Sequence, residues 1–239
     1  MKNSKQLIVY QYFKSIFSIS KYSVKSTLTV FFFIPSLIFS QTIRSPKGSN
    51  IWIYSIQGAW SIGNLIIDKN LTIEPKKYLI SGLDQWHYTE ADKQVQFASD
   101  VTFLGTMGAM GVLGLIHWED GYVNAMAQNL WITANLTQTV KLLAQRQRPA
   151  SFEPNDDYRS FFSGHSSITA TAATTALWYA YHVKNPNKWA KPLGWTSVGL
   201  SLTTGILRII SGKHYPSDVI TGFAVGTGVA LLNLSLKKI

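Results

Sequence analysis

An all-α fold, a bundle of about six helices embedded in or associated with a membrane, follows from three features of the 239-residue sequence. Six charge-free runs recur along it: Ile51–Ile67, Val101–His117, Gly121–Val140, Phe161–Val183, Pro192–Leu207 and Val219–Leu236. At 16 to 23 residues they are too long for strands and suit helices. No stretch alternates apolar and polar residues between hairpin turns, so no sheet is expected. Charged residues make up 14% of the chain and apolar residues 46%, where about 25% charged is usual in soluble domains.

The elements divide the chain into three parts. Residues 1–40 have the form of an export signal, with a lysine-bearing start, an apolar stretch from Leu28 to Phe39, and Ser40-Gln41 at the cleavage point. That stretch of twelve residues contains Pro35, and spanning a bilayer takes about 20. An uncleaved anchor helix is the alternative. Residues 41–100 carry the first long helix, Ile51–Ile67, and a connecting segment broken at Pro75. Residues 101–239 hold the other five runs, with breakers at Pro149, Pro154, Pro186 and Pro216 in the gaps. His117-Trp118-Glu119-Asp120 reads as a polar turn between two helices, and Lys237-Lys238 as a basic helix end.

Two of the runs contain NAMAQNLWITANLTQTV and SSITATAATTALW, uncharged but rich in Ser, Thr, Asn and Gln. Such helices pack in lipid through small and polar contacts, or form a water-soluble bundle. Trp52, Trp118, Tyr181, Trp189 and Trp195 sit near the ends of runs. They suit an interfacial aromatic belt, and equally the caps of a soluble core.

Charge and composition exclude several functions. Without cysteine there are no disulfides, thiol nucleophiles or cysteine metal sites. The net charge is +10, but Lys2, Lys5, Lys14, Lys21 and Lys25 fall in the acid-free leader. The remainder carries 22 − 5 = 17 basic against 12 acidic residues, or +5. No basic stripe interleaves with stacking aromatics, so nucleic acid is not an expected partner. A moderate positive balance suits an anionic substrate or an anionic membrane surface.

Three short segments carry chemistry. In Lys141-Leu-Leu-Ala-Gln-Arg-Gln-Arg148-Pro149, a spacing of seven is nearly two helical turns. It predicts Lys141 and Arg148 on the same side of one helix, ended by Pro149. In Phe161-Phe162-Ser163-Gly164-His165, a hydroxyl, a glycine and an imidazole stand at a helix start, a ready anion site. In Arg208-Ile-Ile-Ser-Gly-Lys-His214-Tyr-Pro-Ser-Asp218, an exposed turn histidine has a carboxylate four residues on. Such a partner fixes the imidazole tautomer and frees the other nitrogen to attack. Taken singly, each has a plain structural reading: cations at a helix C-terminus, an N-cap serine, a surface histidine.

In this order, within 78 residues, the three segments resemble the signature motifs of the type 2 phosphatidic acid phosphatase superfamily, Lys-x6-Arg-Pro, Ser-Gly-His and Arg-x5-His-x3-Asp. That family includes lipid phosphatases, bacterial acid phosphatases and vanadium haloperoxidases. The sequence departs from it at Phe162, where proline is usual, and at Leu207, where serine is usual; both flank the catalytic set. The resemblance implies that His214 is the nucleophile, forming a phosphohistidine, and that Asp218 orients it. It implies that His165 is the general acid and then the base, and that Lys141, Arg148, Arg208, Ser163 and Gly164 bind the phosphoryl oxygens. Three cations and helix-start amides neutralise phosphoryl charge without metal or other cofactor.

The expected protein is therefore an exported, metal-independent phosphatase of the cell envelope or periplasmic side. Its substrate would be a phosphomonoester or diphosphate, of a membrane lipid or a small phosphoester. The alternatives from other classes are a vanadium-dependent haloperoxidase and a non-catalytic anion-binding envelope protein.

Overall fold

A computed structural model describes residues 50–70, 76–85, 92–117, 121–150, 158–183 and 186–236. They form six α-helices: α1 (Asn50–Asn70), α2 (Lys93–Ile116), α3 (Tyr122–Ala144), α4 (Gly164–His182), α5 (Ala190–Ile210) and α6 (Pro216–Leu236), with a short 3-10 turn at Gly82–Gln85. No strand occurs among the described residues, and one isolated parallel bridge joins Lys76 to Arg146. The fold is all-α, as the uncharged runs predict. The leader at 1–40, Trp118, Glu119, Asp120 and the Lys237-Lys238 end lie outside the described residues.

Most helix ends fall within three residues of the run ends, and two boundaries differ from the sequence expectation in ways that shape the site. Helix α2 starts at Lys93 and not Val101, because Asp92 caps it: one carboxylate oxygen accepts from Gln94 N at 2.8 Å and Val95 N at 3.0 Å. Asp100, whose charge bounded the apolar run, is thus well inside the helix. Helix α3 stops at Ala144, before Pro149 can act. Gln145 takes the left-handed conformation at φ 46°, and its N–H closes on the Lys141 carbonyl. Lys76 then pairs with the chain beyond, its N–H bonding Gln145 O and its carbonyl accepting from Gln147 N. Lys141 and Arg148 are therefore not on one helix.

Helix α4 is the centre, packed by α2, α3, α5 and α6. Small residues allow so many close neighbours. Its polar groups meet those of α3 in an antiparallel ladder with a four-residue step: Asn129–Thr175 at 2.9 Å, Thr133–Thr171 at 2.8 Å and Thr137–Ser167 at 3.0 Å. Helix α6 approaches α4 through two glycines. A Cβ on Gly222 would lie 2.7 Å from the Ser163 carbonyl oxygen, and one on Gly226 would overlap the Ser167 carbonyl.

The polar runs thus face inwards, while apolar side chains such as Phe97, Leu104, Leu115, Ile206 and Leu232 are exposed. This reverses the pattern of a water-soluble bundle. Helices α2, α5 and α6 are long and apolar enough to cross a membrane. Tyr181, Trp189 and Trp195 are exposed near helix ends, where the amphipathic rings of an interfacial belt would stand.

Candidate active site

The ladder between α3 and α4 continues to one end of the bundle. One step beyond Thr137 stands Lys141, beside Gly164; a Cβ on Gly164 would come within 3.9 Å of Lys141 Cε. Lys141 Nζ donates to the Arg159 carbonyl at 2.5 Å. The start of α4, the end of α5 and the start of α6 converge at the same end.

Ser163 is the N-cap of α4. Its hydroxyl oxygen accepts from Ser166 N at 3.4 Å and from Ser166 Oγ at 2.9 Å, while its own N–H donates to Asp218 O. The capping role and a place beside the site coexist, since a hydroxyl that accepts still has a proton to donate.

His214 lies in the turn between α5 and α6, reached through Gly212 in the left-handed region at φ 69°. It is 1% exposed, not the surface turn histidine expected from Gly and Pro neighbours. Its Nδ1 lies 2.9 Å from the Ser160 carbonyl. A carbonyl only accepts, so Nδ1 carries the proton and Nε2 keeps its lone pair.

Asp218 contributes less directly than the motif suggests. Its Oδ2 is 3.6 Å from His214 Nδ1, while it accepts from Ser160 Oγ at 2.5 Å and Tyr215 N at 2.9 Å. Asp218 thus grips the two peptide segments that flank the imidazole.

Its other oxygen meets a residue the motif reading passed over. Arg146, one of the unspecified positions between Lys141 and Arg148, is fully buried. Its Nη1 bonds Asp218 Oδ1 at 2.5 Å and Ser217 Oγ at 2.9 Å, and its Nη2 bonds Asp84 Oδ2 at 2.9 Å. The guanidinium also lies over the Tyr215 ring at 4.0 Å. Burial disfavours the Asp84 carboxylate, but bonds from Ser217, Ile80 and Arg146 outweigh it and hold its pKa at about 2. No local signal marked Asp84 as part of the site, because Arg146 and Ser217, the partners that bring it there, lie more than 60 residues away.

The remaining charges surround the two histidines. Arg148 Nη1 donates to the Lys213 carbonyl at 3.1 Å. Arg208 Nη1 reaches Ser99 Oγ at 3.1 Å and Asp100 Oδ1 at 3.2 Å. His165 Nε2 lies 3.1 Å from the same Asp100 oxygen, and its ring packs on Phe103 with centroids 4.7 Å apart. Burial, then the Arg148, Lys141 and Arg208 charges, push the His214 pKa well below the usual histidine range. Burial and Arg208 push that of His165 down to about 4, with Asp100 opposing them. Both imidazoles are neutral at pH 7 in the anion-free protein. Three cations, two neutral histidines and a helix start can hold a multivalent anion beside a nucleophile.

Comparison with known proteins bears on this site. The family model described as the PAP2 superfamily matches residues 121–238. The chain is 33% identical over 85 residues to a lipid A 1-phosphatase of Rhizobium johnstonii, covering 35% of this chain and 30% of that protein. It is 28% identical over 110 residues to an undecaprenyl-diphosphatase of Sulfolobus acidocaldarius, covering 43% and 49%. The chain spans at most about half the length of these curated relatives, and a tenth of the mammalian phospholipid phosphatase-related proteins it also matches. A solved PAP2-type phosphatidylglycerolphosphate phosphatase from Bacillus subtilis superposes with a TM-score of 0.49 at 19% identity, over 89% of this chain and 95% of that one. Through residues 121–238, which hold every predicted site residue from Lys141 to Asp218, this chain belongs to the PAP2 superfamily.

Proposed function

We propose that this protein is a phosphatase acting on a phosphomonoester or diphosphate of a membrane lipid, through a phosphohistidine intermediate and without metal. The observation that carries the reading is the buried His214, whose Nδ1–H is held by the Ser160 carbonyl while Arg148, Lys141 and Arg208 act on it as charges. In the first step the Nε2 lone pair attacks phosphorus, and the bond from phosphorus to the leaving oxygen breaks. His165 gives a proton to that oxygen, so that a neutral alcohol departs from a phosphomonoester, or a protonated phosphate monoester from a diphosphate. In the second step water attacks the phosphohistidine, His165 takes its proton, and phosphate leaves His214 restored. Lys141, Arg148 and Arg208, with the Ser163 hydroxyl and Gly164 amide, neutralise the phosphoryl oxygens throughout.

The apolar exterior of α2, α5 and α6 favours a substrate that arrives through the bilayer. Relatives named for lipid A 1-phosphate and undecaprenyl diphosphate support the lipid class. An envelope location on the exported side is part of the proposal and rests on the leader at residues 1–40. The decisive test is phosphate release from vesicles carrying phosphatidate, a prenyl diphosphate or a lipid A phosphate, with EDTA present. Release by the full chain, and its loss in His214→Gln, supports the reading. No release from any of them, or undiminished release by His214→Gln, overturns it.

A further inference from the structure

Asp100 lies in α2, outside the family-matched region and outside all three motifs. Its single oxygen Oδ1 contacts two site residues, His165 Nε2 at 3.1 Å and Arg208 Nη1 at 3.2 Å. A carboxylate among cations that hold an anion weakens their field, so its presence needs a compensating role. It also sits in a helix that is apolar enough to cross a membrane, where a charge is costly unless it is paired.

We infer that Asp100 is the positioning residue for the proton-transfer histidine, forming with His165 a histidine–carboxylate pair that fixes which imidazole nitrogen meets the leaving oxygen. This rests on the phosphatase reading above. A carboxylate only accepts, so it holds the proton on Nε2. Nδ1 then remains for the exchange. As the imidazolium it gives its proton to the leaving alcohol, and as the neutral base it takes one from water. The two histidines are thus held in opposite senses. His214 has Nδ1 tied to Ser160 and Nε2 free to attack, while His165 has Nε2 tied to Asp100 and Nδ1 left for protons. The Phe103 ring against His165 limits ring rotation, so the orientation rests on packing as well as on the bond. The groups acting on His165 are Arg208 on α5, Lys141 on α3 and Asp100 on α2, with His214 on the α5–α6 turn coupled to it. Asp100 is the one among them that favours the protonated acid.

The test uses the full chain in detergent with Asp100→Asn, which keeps the shape and removes the charge. Hydrolysis of an alkyl phosphate should fall by about 100-fold, the scale of general acid catalysis. Hydrolysis of p-nitrophenyl phosphate, whose leaving group needs little protonation, should fall about tenfold less. The alkaline limb of the alkyl phosphate profile should move to lower pH, because loss of the carboxylate makes His165 shed its proton earlier. Equal losses on both substrates with an unmoved limb would overturn the assignment and leave Asp100 as a mere partner of Arg208. Labelled-histidine NMR, with His165→Gln to identify the signal, gives a readout independent of turnover. A His165 titration midpoint lower in Asp100→Asn supports the pair, and an unmoved midpoint overturns it. If the wild-type chain releases no phosphate from any substrate, the phosphatase reading falls, and the NMR midpoint still decides the pair.

Discussion

Asp218 gives its carboxylate to Arg146 rather than to His214. Oδ1 lies 2.5 Å from the guanidinium, whereas Oδ2 stands 3.6 Å from the imidazole Nδ1, which bonds the Ser160 carbonyl instead. One buried cation therefore serves two buried carboxylates, Asp218 and Asp84, and ties the start of α6 to the segment before α2.

Removing that cation should be costly. Arg146→Met would leave two carboxylates buried and unneutralised, and breaking a buried pair in this way costs about 3–5 kcal/mol. Thermal unfolding in detergent should show a large fall in midpoint. Arg146→Lys should recover only part of it, since an ammonium lacks the fork that reaches both acids. A midpoint within a degree or so of wild type for Arg146→Met would contradict the role given to this cluster.

The nucleophile needs a substitution that respects its burial. His214→Ala would open a cavity at a 1% exposed position, so His214→Gln is the cleaner variant. It should lose at least about 1000-fold in kcat with the unfolding midpoint nearly unchanged. Arg148→Ala and Arg208→Ala should each lose several kcal/mol of transition-state binding, read from kcat/KM. Orthovanadate should inhibit the wild type, because a five-coordinate vanadate on His214 resembles the phosphoryl transition state.

Helix contact between α4 and α6 predicts a paired outcome at two nearby glycines. Gly226→Ala places a methyl against the Ser167 carbonyl, a backbone atom that cannot swing away, and should destabilise by about 3 kcal/mol or more. Gly228→Ala meets nothing within 4 Å and should be neutral or gain up to about 1 kcal/mol from helix propensity. Equal midpoints for the two variants would show that the close approach is absent.

The pH dependence should be bell-shaped, because attack needs a neutral His214 and departure needs a protonated His165. In the free protein both are depressed, His165 to about 4. A bound phosphoryl dianion favours the imidazolium forms and raises both. The kcat profile, which reports the complex, should therefore lie at higher pH than the kcat/KM profile once the substrate's own ionisation near about pH 6 is accounted for. Coincident profiles would indicate that bound substrate does not touch these histidines. The limbs describe the coupled pair rather than either residue alone.

Much of this protein is local and therefore readable in one dimension. Six uncharged runs predict six helices because backbone hydrogen bonding and apolar length act over neighbouring residues. Spacing alone places Lys141, Arg148, His165, Arg208, His214 and Asp218 in three short segments. What depends on chains meeting from afar is decided only by packing. Gln145, turned to φ 46° with Lys76 paired on both sides of it, ends α3 early, so Arg148 leaves the helix that its spacing suggested. Asp92 starts α2 early, and the charge of Asp100, which looked like the end of a run, becomes a contact of His165 and Arg208. His214, surrounded by turn residues, is buried because Ser160 and Asp218 close over it from separate segments. A carboxylate or an imidazole takes its energy from the charges around it, and those arrive from segments 50 to more than 100 residues apart in the chain. Residue types and their spacing name the reacting groups, whereas packing between distant segments sets which acid meets which base.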